Sequence, residues 1–186
     1  MRGHQWQLPV QPLWILQPRL SVSASLCGGL LHGGRSTRMG TDKAFVVVDG
    51  LPMRDHVRAA LGLVCERVVQ IGGADADVVD GSDGPFAALI ALLSTGWAER
   101  YLVCAVDQPF VTPRALQLLI DVDAQGVCFE REPLPLCLRS SALPRLRALY
   151  DRGERRLKTA PTTTLACPSW LGTQLRNLNR PEDLLR

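Results

Sequence analysis

The sequence predicts an α/β fold in which helices cover both faces of a mostly parallel sheet. Three observations support this. Short apolar runs rich in β-branched or small residues alternate with segments of helical periodicity. Most of the predicted strands stop at glycine or aspartate. The 186 residues, 46% hydrophobic and 21% charged, fit one folded domain and exclude a disordered or collagen-like chain.

The first half of the chain predicts four strands and two helices. Gly-Gly and Asp-Gly pairs, which are typical of tight turns, follow three of the apolar runs. A proline at a first helical position favours a helix start, and apolar residues at helical spacing follow it. These signals predict strands at 25–32, 45–48, 68–71 and 101–106, a helix that begins at Pro52, and a helix at 86–93.

The second half predicts a helix, a β-hairpin and two further helices. Thr112 is a suitable N-cap, and the proline that follows it predicts a helix to Ile120. Two apolar runs separated by a charged turn predict a late hairpin with strands at 127–129 and 134–138, followed by a helix at 141–150. Asn179, with a proline and two acidic residues after it, predicts a terminal helix.

Residues 1–22 differ from the rest of the chain and are predicted to be a disordered extension of a domain that spans 23–186. They hold four glutamines and three prolines and show no usable periodicity. The apolar run at 13–16 is too short for a signal peptide, and Pro18 interrupts it. No run approaches the roughly 18 apolar residues of a membrane span, so no membrane partner is expected.

Charge is unevenly distributed along the chain. Residues 1–60 carry a net +4, residues 61–130 a net −7 and residues 131–186 a net +6, and 19 of the 21 basic residues are arginine. This order favours anionic ligands that meet a carboxylate-held cation, and it argues against a nucleic-acid surface, which needs one continuous basic face. The six cysteines include no C-x-x-C pair. We therefore expect reduced core cysteines, no zinc site and a cytoplasmic protein.

The loop that follows the first strand carries phosphate-binding residue types. Gly33 and Gly34 let a ligand approach the backbone, Arg38 can donate two hydrogen bonds to phosphate, and Lys43 adds a compact positive charge. The spacing is neither that of a P-loop nor that of a dinucleotide fingerprint. An ordinary glycine-rich surface turn is the alternative. The position of the glycine loop at the carboxyl end of a strand favours a ligand site over such a turn.

Asp107 lies at the carboxyl end of the strand at 101–106, so it is expected at the same sheet edge as the glycine loop. A carboxylate there can hold Mg²⁺, which prefers one or two carboxylates with phosphate oxygens and water. The alternative is a capping aspartate before a proline turn. Asp80 and Asp83 precede a Gly-Pro pair in a third loop that is expected at this edge.

Six motifs occur in order along the chain: Leu31-His-Gly-Gly-Arg-Ser-Thr-Arg-Met-Gly-Thr-Asp-Lys43, Asp49-Gly50-x-Pro52, Gly84-Pro85-Phe-Ala, Asp107-x-Pro109, Gly153-Glu-Arg-Arg156 and Asn177-x-Asn179-x-Pro-Glu-Asp183. With these motifs in this order, the chain from about residue 23 to 186 resembles the molybdenum cofactor guanylyltransferases. The glycine-loop motif alone is shared by many nucleotidyltransferases, whereas the other motifs favour this branch. The resemblance implies a three-layer α/β/α Rossmann-like nucleotidyltransferase fold.

The resemblance implies transfer of GMP from GTP to the phosphate of molybdopterin, with release of pyrophosphate. It implies GTP and molybdopterin as substrates, Mg²⁺ as cofactor, and molybdoenzymes or their chaperones as protein partners. Arg38, Lys43 and Asp107 would be catalytic, and Asp107 would hold the metal. The nucleotide would meet the backbone of the first motif, with Asp80 on the nucleoside: Leu31, His32, Gly33, Gly34, Lys43, Asp80 and Asp107.

For the second substrate, Arg155 or Arg156 is expected to contact the molybdopterin phosphate, and Asn177 and Asn179 the pterin. Purely structural roles remain open as alternatives at these positions. A solvated helix face accounts for most such arginines, and Asn179 is also a good helix N-cap.

The chain departs from the family pattern at three places. Family members usually have alanine in place of His32 and glycine in place of Ala88, and the stretch between Ile71 and Gly84 is short. His32 ends an apolar strand, so a buried core histidine is an alternative to a nucleotide contact. Two other functions stay open: a cytidylyltransferase or other small-phosphate nucleotidyltransferase, and a nucleotide-binding protein without turnover.

Overall fold

The structure is a computed structural model that describes residues 23–32, 43–73, 75–80, 83–179 and 182–183. The regular elements alternate between strand and helix as far as the middle of the chain. The strands are β1 (Ser23–Leu31), β2 (Val47–Val48), β3 (Leu51–Pro52), β4 (Cys65–Ile71), β5 (Arg100–Ala105), β6 (Gly126–Phe129), β7 (Glu132–Arg139) and β8 (Thr163–Leu165). The helices are α1 (Met53–Gly62), α2 (Pro85–Ser94), α3 (Pro113–Ile120) and α4 (Leu143–Asp151).

Six strands form one sheet in the order β4-β1-β5-β7-β6-β8. β1 pairs in parallel with β4 and β5, and β6 pairs in parallel with β8, whereas β7 is antiparallel to β5 and β6. The late hairpin and the mostly parallel sheet are therefore confirmed. Because β7 runs opposite to its neighbours, the carboxyl ends of β1, β4, β5 and β6 lie at one edge.

An apolar core covers each face of the sheet. On one face, Leu102 packs with Leu61 of α1 and Leu116 of α3. On the other face, Tyr101 packs with Phe86 of α2 and Leu146 of α4. Neighbouring residues of β5 belong to opposite cores because successive side chains of a strand point to opposite faces. This arrangement is the expected three-layer α/β/α architecture.

Glycine in the middle of β1 allows close helix packing. A Cβ built on Gly29 would lie 2.8 Å from Cδ2 of Leu92 and 2.9 Å from Cδ1 of Ile71. Real Cβ atoms do not approach other atoms this closely, so a larger residue would push α2 away from the sheet.

Three elements predicted in the first half of the chain differ from the structure. The strand predicted at 45–48 is a 3₁₀ turn (Lys43–Phe45) followed by the two-residue β2, which pairs with β3. Asp49 (φ +47°) and Gly50 (φ +85°) form the two-residue loop, which suits an Asp-Gly hairpin turn. Pro52 therefore ends β3 and acts as the N-cap of α1. The strand predicted at 68–71 begins earlier, at Cys65, because it continues to pair with β1.

Several predictions fall on residues that the structure does not describe: the extension at 1–22, the loop at 33–42 and most of the terminal helix. The six cysteines all lie in the described ranges and are free thiols, as predicted. Within those ranges, no helix combines the length and the apolar character that a membrane crossing requires.

Candidate functional site

The candidate site lies where β1, β4 and β5 end. The backbone hydrogen bonds continue past the strands: His32 N–H donates to the Ile71 carbonyl at 2.8 Å, and Val106 N–H donates to the Leu31 carbonyl at 3.2 Å. These bonds fix the three strand ends relative to one another. The residues that follow the strands therefore start from a rigid platform, as ligand sites in open α/β sheets do.

Three polar side chains from distant parts of the sequence meet at this edge. Lys43 Nζ donates a 2.6 Å hydrogen bond to Asn179 Oδ1 and lies 3.5 Å from Asp107 Oδ2. Leu178 N–H donates to the Asp107 carbonyl at 2.8 Å, which anchors the C-terminal segment to the end of β5. The side chains of Lys43 and Asp107 are only about one-fifth exposed, at 19% and 21%. The structure thus joins the predicted triphosphate lysine to the predicted metal ligand.

Burial raises the pKa of Asp107 above the usual range of a carboxyl group, and the neighbouring Lys43 opposes that rise through its charge and its hydrogen bond. The net upward direction means that Lys43 alone does not offset the cost of burying the carboxylate. A second cation near Asp107 would therefore be favourable.

The donor set at this edge fits Mg²⁺. The described part of the chain has no group of three or more His, Cys, Asp or Glu side chains arranged to hold a metal ion. Mg²⁺ is rarely bound by such all-protein cages; it takes one or two carboxylates and completes its shell with phosphate oxygens and water. A single half-buried carboxylate such as Asp107 meets that requirement when a triphosphate is present.

Asp80 lies beside the end of β4. A Cβ built on Gly72 would lie 3.0 Å from Asp80 Oδ2 and 2.5 Å from the His32 carbonyl oxygen. Gly72 N–H donates to the Val78 carbonyl at 3.0 Å, and Gln70 N–H donates to Asp77 Oδ2 at 2.8 Å. Residues 75–80 therefore fold back onto the end of β4 and bring Asp80 beside the carboxyl end of β1.

The remaining predicted nucleotide residues divide into two groups. Leu31 and His32 are 7% exposed, and the Leu31 side chain belongs to the core against α2. Gly33, Gly34 and Arg38 lie outside the described residues, so the structure does not place them.

The predicted second-substrate arginines both make intramolecular contacts. Arg155 stacks on the Tyr150 ring at 3.6 Å, and its Nε lies 3.5 Å from Asp83 Oδ2. Arg156 donates to both carboxylate oxygens of Glu154, which lowers the pKa of Glu154 to about 2. Together with their neighbours they border an open cavity of about 540 Å³, lined by Leu149, Arg152, Gly153, Glu154, Arg155 and Arg156.

The two predicted pterin residues have different partners. The Asn177 side chain hydrogen-bonds Glu132 at the start of β7, whereas the Asn179 side chain accepts from Lys43. Asn179 N–H donates to Asp183 Oδ2 at 2.8 Å. The structure therefore places Asn179 beside the candidate triphosphate lysine, and its expected contact with the pterin stays a prediction.

The chain matches the model of the MobA-like NTP transferase domain over residues 28–164. It belongs to the MobA-like NTP transferase family. It is 32% identical over 178 residues to a probable molybdenum cofactor guanylyltransferase of Deinococcus radiodurans, with 86% of this chain and 92% of the relative covered. It is 29% identical over 180 residues to the molybdenum cofactor guanylyltransferase of Rhodobacter capsulatus, with 87% and 94% covered.

Solved structures of this family and of other nucleotidyltransferases share the fold. Molybdopterin-guanine dinucleotide biosynthesis protein A of Archaeoglobus fulgidus superposes with a TM-score of 0.68 at 21% identity, covering 86% of this chain and 95% of that one. A 2-C-methyl-D-erythritol 4-phosphate cytidylyltransferase of Thermus thermophilus superposes with a TM-score of 0.62 at 15% identity, covering 85% of this chain and 95% of that one. The predicted nucleotidyltransferase fold is confirmed, and the same fold serves more than one nucleotide.

Two features of this MobA-like site had no interpretable signal in the sequence. Lys43 and Asn179 are 136 positions apart, so their contact depends on the tertiary fold. Gly72 and Gly73 were recognisable only as the end of a strand. Their positive φ angles of +74° and +85° and their contact with His32 give them a further role.

Proposed function

We propose that this MobA-like protein transfers GMP from GTP to the phosphate of molybdopterin and releases pyrophosphate. The observation that carries the proposal is the half-buried Lys43, held between Asp107 and Asn179 at the carboxyl edge of the sheet. The names of the relatives, which cover most of the chain at about 30% identity, supply the substrates.

Lys43 binds the triphosphate in this proposal. Its ammonium group is held by one carboxylate and one amide oxygen, and the amide contact is easily exchanged for a phosphate oxygen because the amide carries no net charge. Asp107 keeps the lysine at the carboxyl end of β5 while the Asn179 contact is released. The chain thus holds one fixed positive charge where the triphosphate and the departing pyrophosphate accumulate negative charge.

No side chain is required as a nucleophile or general base. The attacking group is the phosphate of molybdopterin, which is already ionised at neutral pH. What the chain must do is bring two anions into line and offset their repulsion. Arg155, on the rim of the cavity at 149–156, pairs with Asp83 just before α2, and the arginines of this rim would provide positive charge for the acceptor.

Asp107 would hold Mg²⁺ in this reaction, since it is a half-buried carboxylate at the carboxyl end of β5. When bound, Mg²⁺ offsets negative charge on the triphosphate and on pyrophosphate. Lys43 must share Asp107 with that ion, and a phosphate oxygen replaces Asn179 as its second partner.

A cytidylyltransferase is the second candidate, because the fold superposes on a cytidylyltransferase nearly as well as on the biosynthesis protein of this family. The two candidates use the same lysine and carboxylate and differ in the base. The test measures pyrophosphate release with Mg²⁺, molybdopterin and each of the four nucleoside triphosphates in turn. The proposal predicts that GTP gives the highest kcat/KM; a preference for CTP would replace it with the second candidate.

A matched pair of variants tests the metal assignment. Asp107→Asn removes the charge and keeps the shape, and Asp123→Asn alters an aspartate that pairs with Arg139 away from the site. We expect Asp107→Asn to require more Mg²⁺ for half-maximal activity and Asp123→Asn to behave as wild type. An unchanged Mg²⁺ requirement in Asp107→Asn would contradict the assignment.

A further inference from the structure

The side chain of His32 lies between two segments of the site. Its ring is buried, with 7% of the residue exposed, at the end of β1. On one side is the turn formed by Gly72 and Gly73, which begins the loop that carries Asp80. On the other side is Phe45, the last residue of the 3₁₀ turn that begins with Lys43.

The contact with the glycine turn is close. A Cβ built on Gly73 would lie 2.9 Å from Nδ1 and 3.1 Å from Cε1 of His32. Only glycine fits against the ring at this distance, and its φ of +85° lies in the region that other residues adopt at a cost. The ring and the glycine therefore fix each other: the turn cannot move toward β1 while the ring is present.

The contact with Phe45 is an edge-to-face aromatic pair. The ring centroids are 6.4 Å apart, and the planes are inclined by 72°. Arg54 covers Phe45 from another direction, with its guanidinium carbon 4.4 Å from the ring centroid. Phe45 is half exposed, so these two contacts are what hold its ring in place.

We infer that the His32 side chain is a positioning residue that sets the spacing between the Asp80 loop and the Lys43 turn, and thereby the fit of the nucleoside. The inference rests on the proposed function for the identity of the substrate. It goes beyond the proposed function because it gives the side chain of His32 a role that is exerted through neighbouring residues. A nucleotide that contacts both Lys43 and the Asp80 loop must span that spacing. Removing the ring lets the loop collapse toward β1 and alters the span.

A double-mutant cycle between His32 and Gly73 tests the inference in the full-length protein. The variants are His32→Ala, Gly73→Ala and the double variant, with His56→Ala as the matched control. His56 is the other described histidine; its ring hydrogen-bonds the Val48 carbonyl, whereas the contacts with Gly73 and Phe45 are made by His32. Calorimetry measures Kd for each of the four nucleoside triphosphates without molybdopterin, so binding is separated from turnover.

We expect His32→Ala to raise the Kd for the preferred nucleotide between about tenfold and a hundredfold, because small misplacements of ligand-binding groups have effects of that size. The affinity ratio between the preferred and the next nucleotide should fall as well, which a merely structural role would not produce. His32→Gln, which keeps a side chain long enough to reach Gly73, should restore most of the affinity. His56→Ala should bind as wild type does.

The double-mutant cycle also predicts the sign of the coupling between the two substitutions. Gly73→Ala clashes with the ring in the wild-type background, whereas in His32→Ala the new methyl group enters vacated space. The double variant should therefore bind better than the product of the two single effects predicts. Independent effects, or a His32→Ala variant within twofold of wild type with an unchanged affinity ratio, would overturn the inference.

The outcome is distinguishable from a failure of the proposed function. If wild type binds GTP but releases no molybdopterin-dependent pyrophosphate, the proposed function is wrong and the binding cycle still decides the role of His32. If Gly73→Ala does not fold, the comparison of His32→Ala with His32→Gln decides it alone. A wild-type chain that binds no nucleoside triphosphate overturns both.

Discussion

Lys43 illustrates how single residues define this site. It is one of only two lysines in a chain with 19 arginines, and it is held by Asp107 and Asn179. A lysine is a compact charge that can exchange partners, whereas the planar guanidinium of arginine favours fixed bidentate pairs. The sequence could predict Lys43 and Asp107 because each follows a local motif. It could not predict the Asn179 contact, which depends on how the C-terminal segment docks.

Asn179→Asp should weaken nucleotide binding. It places a carboxylate where the amide oxygen now accepts the 2.6 Å hydrogen bond from Lys43, so a triphosphate must displace a charged partner instead of a neutral one. We expect the KM for the nucleotide to rise by about tenfold, with a smaller change in kcat. Steady-state kinetics at saturating molybdopterin measures this. Tighter binding in Asn179→Asp would show that the lysine does not meet the triphosphate.

Glu154 should titrate well below other glutamates. Two hydrogen bonds from the Arg156 side chain, with further ones from the backbone N–H groups of Arg156 and Arg155, lower its pKa to about 2 from the usual 4.5. A carboxyl whose folded pKa is depressed contributes stability above its unfolded pKa and loses it as the pH falls through the folded value, here between about 4.5 and 2. NMR titration of the side-chain carboxyl checks this. Arg156→Gln should return the midpoint toward 4.5, and an unchanged midpoint would contradict the pairing.

At the scale of elements, the packing of α2 on β1 and the capping of α3 help to hold the helices against the sheet. Gly29 lets α2 approach the centre of β1, and Arg100 secures the end of α3. The helix start at Pro113 was predictable because proline favours the first turn, whereas α2 begins at Pro85, one residue before the predicted start. The β2–β3 ribbon was predicted only as one strand, since its two-residue strands are too short to show an alternation.

Arg100→Met should destabilise the fold. Arg100 Nη1 donates to the Ile120 carbonyl at 2.6 Å and Nη2 to the Val122 carbonyl at 3.2 Å, at the C-terminal end of α3. Losing donors to carbonyls that stay partly buried should reduce the free energy of unfolding by about 2 kcal/mol. Urea denaturation measures this, with Arg147→Met as the control because Arg147 is exposed on α4. A loss no larger than that of the control would contradict the capping role.

At the scale of the whole molecule, the basic, acidic and basic order of the chain has a partial structural explanation. The acidic middle brings Asp80, Asp83 and Asp107 to the carboxyl edge of the sheet, and the last block supplies the arginines of the cavity at 149–156, where Arg155 pairs with Asp83. The fold class, the helices on both faces of the sheet and the late hairpin could be predicted from the periodicity of apolar residues. The strand order and the partners of Asn177 and Asn179 did not, because they depend on contacts between distant segments.

The rate of cysteine labelling should show whether the core of the whole molecule is intact, because the buried thiols react only when it opens. Cys27, Cys65, Cys104, Cys128 and Cys137 are buried, and Cys167 is half-buried. Burial raises the pKa of the five buried thiols, that of Cys65 to about 12, so little reactive thiolate exists at neutral pH. Alkylation with mass readout should therefore modify Cys167 first and the other five only after denaturation. Rapid native labelling of a second cysteine would contradict this packing.

The central claim is that Lys43 serves nucleotidyl transfer to molybdopterin, and the most direct test is pyrophosphate release from GTP. Wild type, Lys43→Ala and Lys158→Ala are compared with Mg²⁺ and molybdopterin, and again without molybdopterin. Lys158 is the other lysine of the chain and is exposed. The account predicts molybdopterin-dependent release by wild type and Lys158→Ala, with kcat/KM at least about a hundredfold lower in Lys43→Ala. Equal release by Lys43→Ala and wild type, or no release by wild type, would contradict it.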